Sequence, residues 1–235
     1  MSELWGSINV ANHDMNAFIA IPKGTDTFPG VVVIQGQKGV DKFLQETTKR
    51  LATSGYFCIA PELYHRQNFN EEVTPEARRA MLLDSEIVED VNAAVDYLIG
   101  HRSVRNDAIG IMGFCMGGRV SYLMAAVNPS FKASVAFYGG NTMESWGEGP
   151  TPFERLSDIA CPVLSIFGEE DQNPSLEDMK KLDAELTRHD KPHETHAFPN
   201  AGHAFMDFSA SRYSRDAAED SWKLVTTFLD RYLVD

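Results

Sequence analysis

The sequence predicts one three-layer α/β domain over residues 1–235, with helices on both faces of a mostly parallel sheet. Two observations predict this class. After an N-terminal stretch of alternating polarity, short apolar runs typical of strands alternate with segments of helical period, and no repeat or linker interrupts them. The first inner run, residues 31–34, is apolar at every position, which is typical of a strand buried on both faces. A chain of 235 residues, 43% of them apolar, also suits one domain with a large core.

The first quarter of the chain is predicted to contain a hairpin, two strands and a helix. Segments 7–10 and 15–21 alternate in polarity on either side of a polar turn, which predicts an N-terminal antiparallel hairpin. After the first inner strand, a helix is predicted over 42–54 and should stop at Gly55, because glycine is favoured just after a helix end. Residues 57–60 form the next predicted strand.

A loop and a helical region are predicted next. Residues 62–70 are rich in Tyr, His and Arg and are predicted to be a loop. Thr74 and Pro75 begin a helix, because threonine caps helices and proline is favoured in their first turn. Helical periodicity continues to residue 99, with a break near Asp84, and its apolar face consists of Ile87, Val91, Ala94, Val95 and Leu98.

The strongest functional signal is a switch from strand to helix within residues 109–127. A β-branched apolar run ends in Gly113-Phe114-Cys115-Met116-Gly117-Gly118, and apolar residues then recur with helical period. This is the G-x-nucleophile-x-G elbow, whose small flanking residues permit a strained turn that holds the nucleophile out of the sheet. Cys115 would lie at a helix N-terminus, where backbone N–H groups and the helix dipole favour a thiolate and an oxyanion.

Two other interpretations of this stretch are open. Cysteine is among the most often buried residue types, so Cys115 could simply be packed in the core. Glycine-rich turns between a strand and a helix also occur in nucleotide-binding folds. Those turns read G-x-G-x-x-G, however, and residues 113–118 do not match that pattern.

The second half of the chain continues the alternation. Strands are predicted over 133–138, 163–167 and 194–198. The loop over 141–152 contains Trp146, which either lines a pocket or packs beneath one. Ser175 and Asp178 form a predicted capping box for a helix whose inward residues are Leu176, Met179, Leu182 and Leu186. A final helix begins near residue 214 and carries Trp222, Val225, Phe228, Leu229 and Tyr232.

A thiol that attacks an acyl group needs a base and a carboxylate that orients the base. Of the seven histidines, only His203 lies in a glycine-bearing loop directly after a late buried strand, although a lone histidine is often structural. Asp171 also follows a buried strand, with a helix cap as its alternative role. The order nucleophile, acid, histidine is the order that this architecture uses. Because ligands bind at the carboxyl ends of such strands, one edge of the sheet should carry Gln37, Cys115, Tyr138, Asp171 and His203.

The sequence resembles the dienelactone hydrolase (carboxymethylenebutenolidase) family, the cysteine branch of the α/β-hydrolase superfamily, over nearly its whole length. Related stretches are GVVVIQGQKGV, the APELY segment, GFCMGG, the FYG strand end, GEEDQNP and AGHAF. The resemblance implies an α/β-hydrolase fold and a Cys115, Asp171 and His203 triad, with an oxyanion hole made by the N–H groups of Gln37 and Met116. The substrate-binding candidates are Gly36, Arg78, Arg79, Tyr138, Phe205 and Asp207.

The sequence departs from the family at two places. The family carries a glutamate that contacts and helps to activate the cysteine, where this chain has Gly36, so His203 alone, Gln35 or Gln37 must serve instead.

The second departure concerns substrate charge. The family holds a substrate carboxylate with two arginines. Arg78 or Arg79 is a candidate for the first, but Asp207 stands at the second position and would repel a carboxylate. Neutral esters or lactones are therefore the expected substrates. The alternative is that Asp207 turns to solvent and both arginines lie on an exposed helix face.

Composition excludes several classes of function. The net charge of −13 argues against binding to nucleic acid or to an anionic membrane. No apolar run is long enough to span a bilayer, and the first residues do not resemble a signal peptide, so a soluble cytoplasmic protein is expected. The three cysteines, with no C-x-x-C spacing, indicate neither disulfides nor a zinc site.

The expected function is hydrolysis of a carboxylic ester or lactone, without a cofactor or metal, through a thiolester on Cys115. The expected partner is a small-molecule substrate, and the protein is expected to be a monomer or a small homo-oligomer. The alternative is a catalytically silent protein on the same fold that binds a ligand or senses oxidants through the Cys115 thiol.

Overall fold

Eight strands form one sheet in the computed structural model, which describes residues 1–67 and 73–234. In chain order the strands are β1 Ser2–Val10, β2 His13–Ile21, β3 Phe28–Ile34, β4 Phe57–Pro61, β5 Val104–Phe114, β6 Phe131–Phe137, β7 Val163–Gly168 and β8 His193–Phe198. Their order across the sheet is β1-β2-β4-β3-β5-β6-β7-β8. The first two strands form an antiparallel hairpin, and β2 also runs antiparallel to β4. All other pairs are parallel, which confirms the predicted hairpin and mostly parallel sheet.

Helices cover both faces of the sheet, as predicted. They are α1 Lys42–Thr53, α2 Pro75–Ala80, α3 Asp84–Gly100, α4 Met116–Val127, α5 Leu176–Arg188 and α6 Arg215–Leu233. One apolar cluster joins the sheet to α3, α4 and α5, and a second joins its other face to α1 and α6. The molecule therefore has the three-layer α/β architecture predicted from the sequence.

The predicted start of α2 and the predicted break between α2 and α3 are both present. Thr74 accepts a hydrogen bond from the N–H of Ala77 at 3.3 Å, and Pro75 follows it at the first helical position. The chain leaves the helical conformation between α2 and α3, which confirms the break expected near Asp84. Part of the predicted loop over 62–70 lies outside the described residues.

The capping box at the start of α5 is also confirmed. Ser175 accepts from the N–H of Asp178, whose carboxylate accepts from the N–H of Ser175. The prediction that Leu176 faces inward is wrong, since it is 45% exposed. It lies in the first turn of the helix, which is largely exposed, whereas the buried face of the helix begins at Met179 and continues with Leu182 and Leu186.

Within the described residues, no helix is long and apolar enough to cross a membrane.

Candidate active site

The turn between β5 and α4 holds Cys115 in a conformation that few residues adopt. Its φ is 58° and its ψ is −119°, outside the regions that a side chain normally allows. The flanking glycines make the turn sterically possible. A Cβ on Gly113 would lie 2.0 Å from the carbonyl oxygen of Gly117, and one on Gly117 would lie 2.5 Å from that of Ile34. The elbow predicted from the sequence is therefore present, with Cys115 at its apex.

A chain of two hydrogen bonds links the thiol to a buried carboxylate. The Cys115 Sγ lies 3.0 Å from His203 Nε2, and His203 Nδ1 lies 2.8 Å from Asp171 Oδ2. The Asp171 side chain is 1% exposed, and its other oxygen accepts from the N–H of Asn173 at 2.9 Å. The carboxylate is thus fixed in place and fixes the imidazole in turn, with Nε2 directed at the sulfur.

The contacts at the thiol change the proton affinities of both partners. Burial alone would raise the pKa of Cys115, but the hydrogen bond and charge of His203 and the backbone N–H groups of Met116 and Gln37 together lower it. Burial alone would lower the pKa of His203, but its hydrogen bonds to Asp171 and Cys115 raise it to about 10. Both shifts favour the form of the pair in which Cys115 is a thiolate and His203 an imidazolium.

The pKa values of the other two cysteines are shifted in the opposite direction. Both are buried and free, and burial raises the pKa of Cys58 well above its usual value and that of Cys161 to about 12. Of the three thiols, Cys115 is the one whose pKa is lowered, and a lowered pKa favours the reactive thiolate.

Two backbone N–H groups converge on the sulfur from different elements. Met116 is the first residue of α4, and Gln37 follows β3 in a tight turn in which the Gly36 carbonyl accepts from the N–H of Gly39 at 3.1 Å. Both N–H groups help to lower the pKa of the Cys115 thiol. Because they come from a helix N-terminus and a fixed turn, they can also receive negative charge that develops on an oxygen beside the sulfur.

These groups open into a pocket of about 890 Å³ at the carboxyl edge of the sheet. The pocket contains all five residues predicted at that edge, namely Gln37, Cys115, Tyr138, Asp171 and His203. Its walls also carry aromatic and cationic side chains, among them Phe43, Trp146, Lys38, Arg79 and Arg212. Within the part of the chain that the structure describes, no group of three His, Cys, Asp or Glu side chains is placed to hold a metal ion.

Comparison with known proteins decides the family. The profile of the dienelactone hydrolase family matches residues 15–233, which is most of the chain. The chain belongs to the dienelactone hydrolase family.

Similar proteins come from several bacteria. A protein of Methylorubrum extorquens that is provisionally named a carboxymethylenebutenolidase is 31% identical over 97% of this chain and 81% of its own length. One of Synechocystis, with the same provisional name, is 31% identical over 91% of this chain and 90% of its own length.

Solved structures show the same architecture. The crystal structure of a provisionally assigned dienelactone hydrolase from Klebsiella pneumoniae has a TM-score of 0.89 and 28% identity, with 99% of this chain and 100% of that chain covered. An acylaminoacyl peptidase from Pyrococcus horikoshii shares the fold alone, with a TM-score of 0.76 and 18% identity over 99% of this chain and 42% of its own.

Gly36 stands where the dienelactone hydrolase family, by the resemblance, has its activating glutamate, and the structure has room for a side chain there. A Cβ at Gly36 would make only ordinary contacts, 3.6 Å from the Phe114 carbonyl oxygen and 3.7 Å from the Cβ of Cys115. Residue 36 therefore lies beside the thiol but contributes no charge to it. The groups that lower the pKa of Cys115 are His203 and backbone N–H groups instead.

The structure separates the predicted substrate-binding residues into two groups. Gly36, Arg79, Tyr138 and Asp207 line the pocket. Arg78 is turned the other way, with its guanidinium stacked 4.3 Å from the centre of the Tyr64 ring.

Phe205 has no exposed surface and packs beneath Tyr138, with ring centres 5.5 Å apart. It supports the pocket wall from below and does not face a substrate.

Asp207 is paired with a lysine, so the expectation that it would repel a carboxylate needs correction. Its carboxylate lies 3.1 Å from the Nζ of Lys38, on the loop after β3, and accepts from the N–H and hydroxyl of Ser209. Burial would raise the pKa of Asp207, but the hydrogen bonds from Ser209 and the charge of Lys38 lower it. Asp207 is 5% exposed, so it does not turn to solvent either. The rim therefore carries a neutral ion pair at this position.

A buried ion pair behind the pocket wall was not predicted from the sequence. Arg119 on α4 is 0% exposed and makes two hydrogen bonds to Asp84, at the start of α3. Its guanidinium lies 3.9 Å from the centre of the Trp146 ring, and Asp84 also accepts from the N–H of Trp146 at 3.1 Å. The pair thus fixes Trp146 as a wall of the pocket. The available signal was that Arg119 is the only charged residue in the otherwise apolar α4 segment.

Proposed function

We propose that the protein hydrolyses small carboxylic esters or lactones through a covalent thiolester on Cys115. The observation that carries this proposal is the continuous contact from Cys115 through His203 to Asp171, at 3.0 and 2.8 Å, on the one cysteine whose pKa is lowered. Such a chain supplies a nucleophile, a proton carrier and an orienting carboxylate in the relation that acyl transfer requires.

In the first step, the Cys115 thiolate attacks the substrate carbonyl carbon, and the electron pair of the C=O bond moves onto oxygen. The N–H groups of Gln37 and Met116, which converge beside the sulfur, stabilise this oxyanion. When the intermediate collapses, the bond to the ester oxygen breaks and the His203 imidazolium protonates the leaving oxygen. The products are a thiolester and an alcohol, which stays attached to the acyl group if the substrate is a lactone.

In the second step, neutral His203 takes a proton from water, and the resulting hydroxide attacks the thiolester carbonyl. The C–S bond then breaks, the acid leaves, and the thiolate and imidazolium are restored. Asp171 stabilises the imidazolium in each step because its buried carboxylate accepts from His203 Nδ1. All groups used are side chains and backbone of this chain, together with water.

The substrate class follows from the pocket and from the relatives. The two bacterial relatives are provisionally named carboxymethylenebutenolidases, which supports a lactone or ester as the substrate of this chain. The Lys38 and Asp207 pair leaves no net charge at one side of the rim, so it offers little attraction to a substrate carboxylate. We therefore infer that neutral short-chain esters or lactones are better substrates than lactones that carry a carboxylate.

A hydrolysis assay combined with selective alkylation tests this function. Wild-type protein is expected to turn over small esters or lactones and to lose all turnover when one thiol, Cys115, is alkylated. The rival function, an oxidisable thiol on a silent protein, predicts alkylation of Cys115 with no turnover to lose. Absence of turnover across esters and lactones that differ in size and charge would contradict the proposal.

A further inference from the structure

One phenol contacts both residues that we assign to the oxyanion hole. The hydroxyl of Tyr64, just after β4, donates to the carbonyl oxygen of Gln37 at 3.0 Å and lies 3.4 Å from the Met116 sulfur. Tyr64 is 1% exposed. Tyr64 therefore contacts the loop after β3 and the first residue of α4 from within the core.

The contact to Gln37 bears on the direction of the Gln37 N–H. The peptide plane before Gln37 is held because the Gly36 carbonyl accepts from the N–H of Gly39. The plane after Gln37 is held because its carbonyl accepts from Tyr64. The loop contains two glycines, and Gly39 has a φ of 80°, so the backbone has little stiffness of its own. The Gln37 N–H lies in the first of these planes, and holding the second plane limits rotation about the backbone bonds of Gln37, so the N–H keeps one direction.

The residues next to Tyr64 hold the same loop at two other points. The N–H of Leu63 donates to the side-chain oxygen of Gln35 at 3.2 Å, and a Glu62 oxygen accepts from the N–H of Val40 at 3.4 Å. These contacts lie at either end of the loop, whereas Tyr64 contacts its centre. Removing the Tyr64 hydroxyl should therefore loosen the N–H at Gln37 without releasing the whole loop.

We propose that Tyr64 is a positioning residue that aligns the Gln37 N–H group with the oxyanion. This role rests on the proposed function. Burial raises the pKa of the Tyr64 phenol above its usual value, so the hydroxyl stays a hydrogen-bond donor at any pH at which the enzyme would act.

Tyr64→Phe is the test because it removes only the hydroxyl and keeps the ring that stacks on Arg78. Loss of a whole oxyanion donor costs about 10² to 10³ in kcat, so loss of its alignment should lower kcat and kcat/KM together by about 5 to 50-fold, with KM almost unchanged. Because the N–H of Gln37 also lowers the pKa of Cys115, the alkylation rate of the variant should rise with pH at a higher pH than in wild type.

The matched control is Tyr122→Phe. Tyr122 is 0% exposed, and its hydroxyl contacts Ser165 at 2.7 Å, so this variant loses a buried hydrogen bond of the same kind away from the loop. It should lose similar stability while kcat and the alkylation profile stay as in wild type. Equal kcat losses in both variants, or wild-type kcat in Tyr64→Phe, would overturn the positioning role and leave the proposed function intact. If wild-type protein turns over no ester, the proposed function fails, and an alkylation profile unchanged by Tyr64→Phe then overturns the role of Tyr64 as well.

Discussion

The reaction centre and the pocket rim are held in place by different kinds of structure. Cys115, Asp171 and His203 follow the ends of β5, β7 and β8, and direct hydrogen bonds join them. The rim depends on partners that lie far apart in the chain, such as Lys38 and Asp207, which are 169 positions apart. In the proposed mechanism, the strand ends therefore position the reacting groups, and the loops determine which substrate reaches them. Changes at the centre should lower the rate for every substrate, whereas changes at the rim should alter the ratio between substrates.

The largest expected effect is that of Cys115→Ala. Because triad members act as a unit, kcat should fall by about 10³-fold or more, and by a similar factor for charged and neutral esters. The fold should survive, since the side chain is small and reaches the pocket. Steady-state kinetics with thermal unfolding as the control check both points. Full activity in the purified variant would contradict the assignment of the nucleophile.

The pH dependence of kcat/KM should show the coupled pair. The thiolate is required, so activity should fall as pH drops below the lowered pKa of Cys115. The imidazolium is required to protonate the leaving oxygen, so activity should also fall as pH rises through about 10.

His203→Ala separates this coupling from the other influences on the thiol. Without the imidazolium, burial dominates, and the pKa of Cys115 should rise above its wild-type value. Alkylation rate against pH measures the shift. An alkylation profile that is the same with and without His203 would show that the pair is not coupled.

Asp84→Asn tests the support of Trp146 at the rim. The variant leaves the Arg119 charge buried without its carboxylate, so the free energy of unfolding should fall by about 3 to 5 kcal/mol. Trp146 should shift, and kcat/KM should fall by about tenfold for substrates large enough to reach it, with a smaller loss for the smallest esters. A uniform loss across substrate sizes would place this pair in the reaction centre instead.

The control for Asp84→Asn is Glu177→Gln. It removes an exposed ion pair with Lys181, at 2.8 Å, which should contribute less than about 1 kcal/mol. Its kinetics should match those of wild type.

The smallest expected effect concerns charge at the rim. Asp207→Asn frees Lys38 and should raise the kcat/KM ratio of an anionic to a neutral substrate by about 2 to 10-fold, since one exposed charge contributes about 1 kcal/mol. Asp207→Arg should raise the ratio further. Asp220→Asn, on α6 outside the pocket, changes the net charge equally and should leave the ratio unchanged.

A wild-type kcat/KM clearly higher for an anionic lactone than for its neutral methyl ester would refute the substrate proposal.

The same division separates what the sequence could and could not predict. The order of strands and helices and the triad candidates were predictable because each depends on local pattern and on the rule that strand ends share an edge. Helical spacing alone could not say which of Arg78 and Arg79 faces the pocket, because both lie on a two-turn helix whose orientation depends on Tyr64 and Trp146. The partner of Asp207 could not be predicted either, since no local pattern links it to Lys38.

The central claim is that acyl transfer proceeds through a thiolester on Cys115. Intact-protein mass spectrometry of samples quenched during turnover of a small ester tests it most directly. We expect wild-type protein to gain the mass of one acyl group, located on the peptide that contains Cys115, and His203→Ala to give less of it. Turnover with no acyl adduct under any quench condition, or with an adduct on another residue, would contradict the account.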